Sequence, residues 1–131
     1  MKNIQNYRSG NHMKIIAWQM ADKLDILVQD IIKKLPHNRF KMINQLDSAS
    51  DSIGSNIVEG YYSGSTAEFI RFLKYSRRSC AEVQERLMRI KRKDLIDSNL
   101  LDSVTSQAIK TGYIIDRLIQ SLIKKQNQSV L

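Results

Sequence analysis

Arg71, Lys74, Arg77 and Arg78 form a set of side chains able to grip a ligand. A guanidinium donates two coplanar hydrogen bonds to a phosphate, and an ammonium adds a point charge. Arg71, Lys74 and Arg78 recur at steps of three and four, so a helix would set them on one face. That pattern points to the backbone of RNA or DNA. The competing reading is a solvated basic face, partly neutralised by Glu82 with Arg78 or Arg86 and by Glu85 with Arg89. Arg86, Arg89 and Lys93 repeat the same spacing further along, and the run "RIKRKD" (89–94) offsets the negative end of a helix without any ligand.

A second cluster lies in "SIGSNIVEGYYSGSTAEFIRFL", residues 52–73. Ser65 to Glu68 spells a capping box, in which the Ser65 hydroxyl accepts from the Glu68 N–H and the carboxylate reaches back. Gly60 fits the left-handed residue that closes the preceding helix. Glu59 then falls in that helix's last turn, where the dipole disfavours an acid by roughly 0.3–1 kcal/mol. Three arrangements would offset it: a salt bridge to Arg71 or another base, hydrogen bonds to the N–H groups opening the next helix, or a metal or ligand. Asn56, one turn earlier, would join that network. Tyr61 and Tyr62 serve either base stacking or a packed corner.

Nothing in the sequence converges on catalysis. Nucleophile-elbow and phosphate-loop patterns are absent. His12 and His37 lack the Glu-x-x-His spacing of a di-metal bundle, and Cys80, the single cysteine, falls on an apolar stripe. A non-enzyme without metal or other cofactor is expected.

These residues need helices to position them. The 131 residues suit one domain, and with five glycines and one proline a turn-rich β fold is disfavoured. Apolar and small residues alternate at threes and fours over 13–35, 40–59, 66–93 and 99–125. That period suits helices packed side by side, and short links make an all-α, antiparallel up-down-up-down four-helix bundle. Residues 1–12 are expected as a flexible arm and 126–131 as a flexible tail. Apolar residues in excess of one stripe, among them Ile15, Trp18, Ile109 and Ile114, call for a second buried surface, which self-association would supply.

Charge narrows the partners. The formal net charge is +8 and the pI about 9.7, favouring polyanions. Between Thr66 and Asp94, nine cations face four acids, a surplus of five. No signal peptide is apparent, and no apolar run approaches the roughly 20 residues that cross a bilayer, so a cytoplasmic protein without a membrane partner is expected.

The segment "SIGSNIVEGYYSGSTAEFIRFLKYSRRSCAEVQERL" resembles the hallmark of the 23S rRNA intervening-sequence protein family, S-I-P-S-N-I-A-E-G followed by a short turn and E-F-x-x-F-L. Ser55, Asn56, Ile57, Glu59, Gly60, Glu68, Phe69, Phe72, Leu73 and Glu82 match that pattern, and "AWQMADKL" (17–24) resembles the family's first helix. Three departures stand out. Gly54 replaces a proline, Asp47 and Ser48 occupy a place often basic, and Tyr61-Tyr62-Ser63 lacks the turn's usual arginine. A nucleic-acid role carried by those family bases does not transfer to these positions. The resemblance implies a homo-oligomeric ring, commonly a pentamer, with no enzymatic activity. A related branch of that family consists of accessory proteins of diversity-generating retroelements, basic rings that bind reverse transcriptase and nucleic acid. The implied partners are further copies of the chain, RNA or DNA, and a reverse transcriptase or ribosomal component. The function expected is a nucleic-acid-associated accessory role, with a protein-interaction scaffold of incidental charge as the alternative.

Overall fold

The computed structural model describes residues 10–129. It is all-helical: a short 3-10 turn, Asn11–Lys14, precedes α1 (Ile16–Lys34), α2 (Phe40–Tyr61), α3 (Thr66–Arg92) and α4 (Ser98–Ser129). No strand occurs among the described residues. The residues of the expected arm numbered 1–9 lie outside them. His12 does not dangle. It is held in the 3-10 turn, its ring edge-on to Trp18 at 5.1 Å and to Tyr62 at 5.7 Å. Residues 126–129 of the expected tail belong to α4, which continues to Ser129, and residues 130–131 lie outside the described ones.

The periodic residues form the core. Ala17, Ala21, Leu24, Val28, Ile31 and Leu35 bury the inner face of α1, and Leu46, Ser50, Ile53 and Ile57 that of α2. Leu73, Ser76, Cys80, Val83, Leu87 and Ile90 line α3, and Leu101, Val104, Ala108, Thr111 and Ile115 line α4. Phe69 sits at the margin, half-buried, and Ile70 takes the fully inward place beside it.

Polar core positions staple adjacent helices. Ser50 Oγ donates to Asp25 Oδ1 at 2.8 Å, joining α2 to α1. Ser76 Oγ donates to the Ile53 carbonyl at 2.8 Å, joining α3 to α2. Cys80 Sγ donates to the Ala108 carbonyl at 3.1 Å, and Thr111 Oγ1 to the Met20 carbonyl at 3.3 Å. Every neighbouring pair therefore carries at least one such link; between α4 and α1 Gln107 Nε2 also donates to the Met20 carbonyl at 3.4 Å, while the shorter bond of Thr111 Oγ1 is to the Gln107 carbonyl in its own helix at 2.8 Å. A buried hydroxyl or thiol costs stability unless bonded, and a small side chain brings it within reach of the next backbone.

Chain breaks follow local chemistry. Pro36 ends α1, and Arg39 N–H closes a tight turn onto the Pro36 carbonyl at 3.0 Å. After α3, Asp94 takes a left-handed φ of 54°, a place that Asp tolerates better than bulkier residues. Asp97 Oδ1 then accepts from Asn99 N–H at 3.1 Å and caps α4.

Candidate nucleic-acid interface

The corner between α2 and α3 positions the start of the basic helix. Ser65 caps α3, its Oγ accepting from Glu68 N–H at 3.0 Å. The return half of the capping box is not made. The Glu68 carboxylate instead grips Arg71 with two bonds, Nε to Oε1 at 3.1 Å and Nη2 to Oε2 at 2.6 Å. A charge-assisted fork outcompetes a single bond to a backbone N–H. That hydrogen-bonded guanidinium holds the Glu68 carboxyl below its ordinary range, and the Arg71 pKa rises further above its own.

Two expectations for this corner are corrected. Gly60 is not the left-handed residue that closes α2. The helix runs on through Tyr61, and the positive φ, 85°, belongs to Gly64. Gly60 is glycine because α3 crosses there: a β-carbon would lie 2.7 Å from Phe72 Cβ and 3.0 Å from Phe69 Cδ1. Its carbonyl accepts from Ser63 N–H at 3.2 Å and Ser63 Oγ at 2.6 Å, which closes the helix. Glu59 is exposed and makes no hydrogen bond or ion pair among the described residues. It does not tie the helices together, because its preferred base, Arg71, is already taken by Glu68. Asn56 Nδ2 donates to the Ser52 carbonyl at 2.8 Å within its own helix, away from any such network.

Tyr61 and Tyr62 belong to an aromatic chain. Tyr61 meets Tyr62 edge-on at 4.9 Å and Phe69 at 6.0 Å, while the Tyr62 hydroxyl lies 3.2 Å from His12 Nδ1. Edge-to-face pairs of this kind each add about 0.5–1.5 kcal/mol. The chain fastens the 3-10 turn to the corner, a contact that no local pattern of residues marks.

The four basic candidates separate into three plus one. Arg71 and Arg78 flank the Tyr75 ring, their guanidinium carbons 5.6 and 5.7 Å from its centroid, and Arg71 Nη1 donates to the Tyr75 hydroxyl at 3.1 Å. Phe72 extends the surface, 5.8 Å from Tyr75 and 4.9 Å from the Arg71 carbon. Lys74 is exposed and has no partner among the described residues. Arg77 turns toward α4, where Nε pairs with Asp116 Oδ2 at 2.9 Å and the guanidinium lies over Gly112. Arg71, Lys74 and Arg78 thus make one exposed face of cations set around aromatic rings, and Arg77 serves the α3–α4 contact.

Further along α3 the expected pairs form: Arg86 with Glu82 at 3.8 Å and Arg89 with Glu85 at 2.9 Å. Lys91 reaches across to Asp102 at 2.7 Å. Cys80 is fully buried, and burial pushes its thiol up to about 11. Among the described residues no His, Cys, Asp and Glu side chains gather in threes as a metal site would need. An open cleft of about 590 Å³ lies between the start of α2 and the second half of α3. Its lining joins Arg39, Phe40 and Lys41 to Arg86, Arg89 and Lys93. The spacing of the last three was legible in the sequence, whereas their meeting with residues 39–41 was not.

Fold and site together define a four-helix protein with a basic, aromatic-studded third helix. The chain belongs to the 23S rRNA-intervening sequence protein family, whose model matches residues 13–117. A solved structure of a protein of unknown function from the S23 ribosomal protein family of Bacteroides thetaiotaomicron VPI-5482 is similar, with a TM-score of 0.73. The two share 21% identity over 79% of this chain and 98% of that one, a likeness of fold. No curated protein matches the chain. No helix of the described residues is long and apolar enough to cross a membrane.

Proposed function

We propose that this chain is a non-enzymatic, cytoplasmic accessory protein that works as a homo-oligomer and holds structured RNA on the exposed face of α3. The observation that carries this reading is the Arg71–Tyr75–Arg78 stack beside unpaired Lys74. Cations over an aromatic ring suit phosphates and bases together, and the chain's +8 draws a polyanion from a distance. The family's name makes 23S rRNA the first substrate to try. Ribosomal components or a reverse transcriptase are the protein partners to test after it.

An antiparallel up-down-up-down order is part of the proposal. It is supported by the residue pairs along α2 and α3, where Gly60 meets Phe69 and Phe72 while Ile53 meets Ser76. Self-association is supported by large apolar side chains left in solvent: Ile109 and Tyr113 a turn apart on α4, and Ile16 and Ile26 on α1. Ile109 and Tyr113, four residues apart on one helix, form an adjacent exposed apolar pair, and contiguous patches of that kind mark interaction surfaces. A closed ring of five would carry five times +8 and would hold counterions that RNA can displace.

The test is filter binding of a 23S rRNA fragment across a salt series, with the Arg71→Glu, Lys74→Glu, Arg78→Glu triple variant alongside. Binding should weaken steeply with salt, by a slope of about 0.7–0.9 per phosphate contacted, and the triple variant should abolish it. Light scattering on the same samples gives the oligomer number. The scaffold reading draws on the carboxylate partners of Arg71, Arg77, Arg86, Arg89 and Lys91, which mute much of the basic charge. Silence toward all nucleic acids at low salt would favour it, and undiminished binding by the triple variant would move the RNA off this face.

A further inference from the structure

We infer that the cleft between the start of α2 and the second half of α3 is a separate binding site for a nucleotide, with the phosphate among its cations and the base on Phe40. This inference stands apart from the α3 face, sharing none of its residues.

Size and charge come first. At about 590 Å³ the cleft falls in the range of small-ligand pockets, roughly 300–1,000 Å³. Arg39, Lys41, Arg86, Arg89 and Lys93 line it, and no carboxylate does. Five cations on one concave wall repel each other, and an anion placed there relieves that repulsion.

Most of these cations have donors to spare. Arg39, Lys41 and Lys93 make no side-chain hydrogen bond or ion pair among the described residues. The Arg86 side chain makes no hydrogen bond among the described residues: its ion pair with Glu82 is long, at 3.8 Å, and its Nε–H is shut away from solvent without an acceptor. A guanidinium in that condition gains more than an exposed one by turning onto a phosphate. Arg89 is hydrogen-bonded through Nε to Glu85 at 2.9 Å, which leaves its Nη groups for a ligand.

The first turn of α2 adds to the same field. Its cap residue, Arg39, supplies no side-chain acceptor, and the turn contains no acid. The opening N–H groups of this 22-residue helix and the positive end of its dipole therefore meet the cleft without local neutralisation.

Phe40 distinguishes a nucleotide from a bare anion. Its ring is 71% exposed, the most exposed of the large hydrophobic side chains recorded among the described residues, and it stands in the cleft wall beside Arg39 and Lys41. A ring left in water next to cations offers a platform on which a base can stack, worth about 1–3 kcal/mol in nucleic-acid binders. The nucleotide's source is either a free mononucleotide or the phosphorylated end of a strand.

The experiment is isothermal titration of the full chain at low salt with three probes: inorganic phosphate, adenosine monophosphate, and a short oligoadenylate bearing a terminal phosphate. Arg39→Gln, Lys93→Gln and Phe40→Ala are the variants, since all three side chains are exposed and the two cations are unpaired; circular dichroism checks their folding. The monophosphate should bind more tightly than inorganic phosphate. The Arg39→Gln, Lys93→Gln double variant should weaken it by about tenfold or more, and Phe40→Ala should erase its advantage over phosphate. On the Arg71, Lys74, Arg78 triple variant, which lacks the RNA face, an oligoadenylate that binds tenfold tighter than the monophosphate assigns the site to strand ends, and equal affinity assigns it to free nucleotides. The Arg71, Lys74, Arg78 triple variant should bind the monophosphate as the parent does, which separates this site from the RNA face. No heat with any probe, affinity unchanged by the double variant, or a monophosphate no better than phosphate in the parent would overturn the inference.

Discussion

Replacing Gly60 by alanine tests how closely α2 and α3 are packed. The added carbon would lie 2.7 Å from Phe72 Cβ, 3.0 Å from Phe69 Cδ1 and 3.3 Å from Phe69 Cα. Carbon atoms rest at about 3.5–4.0 Å, so the closest contact is short by about 0.8 Å or more. Phe72 Cβ and Phe69 Cα are fixed to the backbone and cannot swing aside, so the helices themselves must part. Overpacking of this kind costs about 1–3 kcal/mol, and rigid neighbours place Gly60 in the upper part of that range. Alanine recovers about 1 kcal/mol through helix propensity, leaving a net loss of about 1–2 kcal/mol. Gly54 in the same helix is the control. There a β-carbon would meet nothing closer than Trp18 Nε1 at 3.8 Å, so alanine should stabilise by about 0.5–1 kcal/mol. Urea unfolding followed by far-UV circular dichroism, at one fixed protein concentration, reads both. With an m-value of about 1–3 kcal/mol/M, the two midpoints should separate by about 1 M, with the parent between them. A Gly60→Ala protein as stable as the parent would cap the steric cost at the roughly 1 kcal/mol that helix propensity returns, and a more stable one would show that the crossing is looser than described.

Three further outcomes follow from the same geometry. Glu59→Ala should change stability by no more than about 0.5 kcal/mol in the same urea series, and toward greater stability, since an unpartnered acid leaves the negative end of α2. Ser65→Ala should cost about 1 kcal/mol, because the Glu68 N–H loses its acceptor while the Glu68–Arg71 fork persists; a thermal melt should fall by roughly 2–8 °C. Burial raises the Cys80 thiol from an ordinary 9.0 to about 11, so the folded state favours the protonated form. Its contribution of about 2–3 kcal/mol is complete below pH 9 and is lost as pH climbs through 11. The stability gap between the parent and Cys80→Ala should therefore narrow across that window, and a gap independent of pH would remove burial as the cause.

The sequence was most informative where a residue's role depends on its own helix. The stripe from Ala17 to Leu35 is buried as its period required, and Ser65 caps α3 as its place before the helix required. Glu59 and Gly60 show where that reading stops. A glycine near a helix end looks the same whether it turns the chain or admits a neighbouring helix, and only Phe69 and Phe72 decide which. The basic helix followed the same rule. Its spacing marked Arg71, Lys74 and Arg78 as one face, but nothing local told Arg77, drawn to Asp116 across the α3–α4 contact, from Arg78, stacked on Tyr75.

By itself the sequence determined the helices, their inward faces and the family, because helical period and capping are set within a few residues along the chain. Tertiary structure alone decided the partners. It placed Glu68 rather than Glu59 on Arg71, set the Ser50, Ser76, Cys80 and Thr111 links across neighbouring helices, and gathered residues 39–41 with Arg86, Arg89 and Lys93 around one cleft. Ion pairs and clefts act over a few ångströms of space, and residues that far apart in sequence come that close only once the helices have packed.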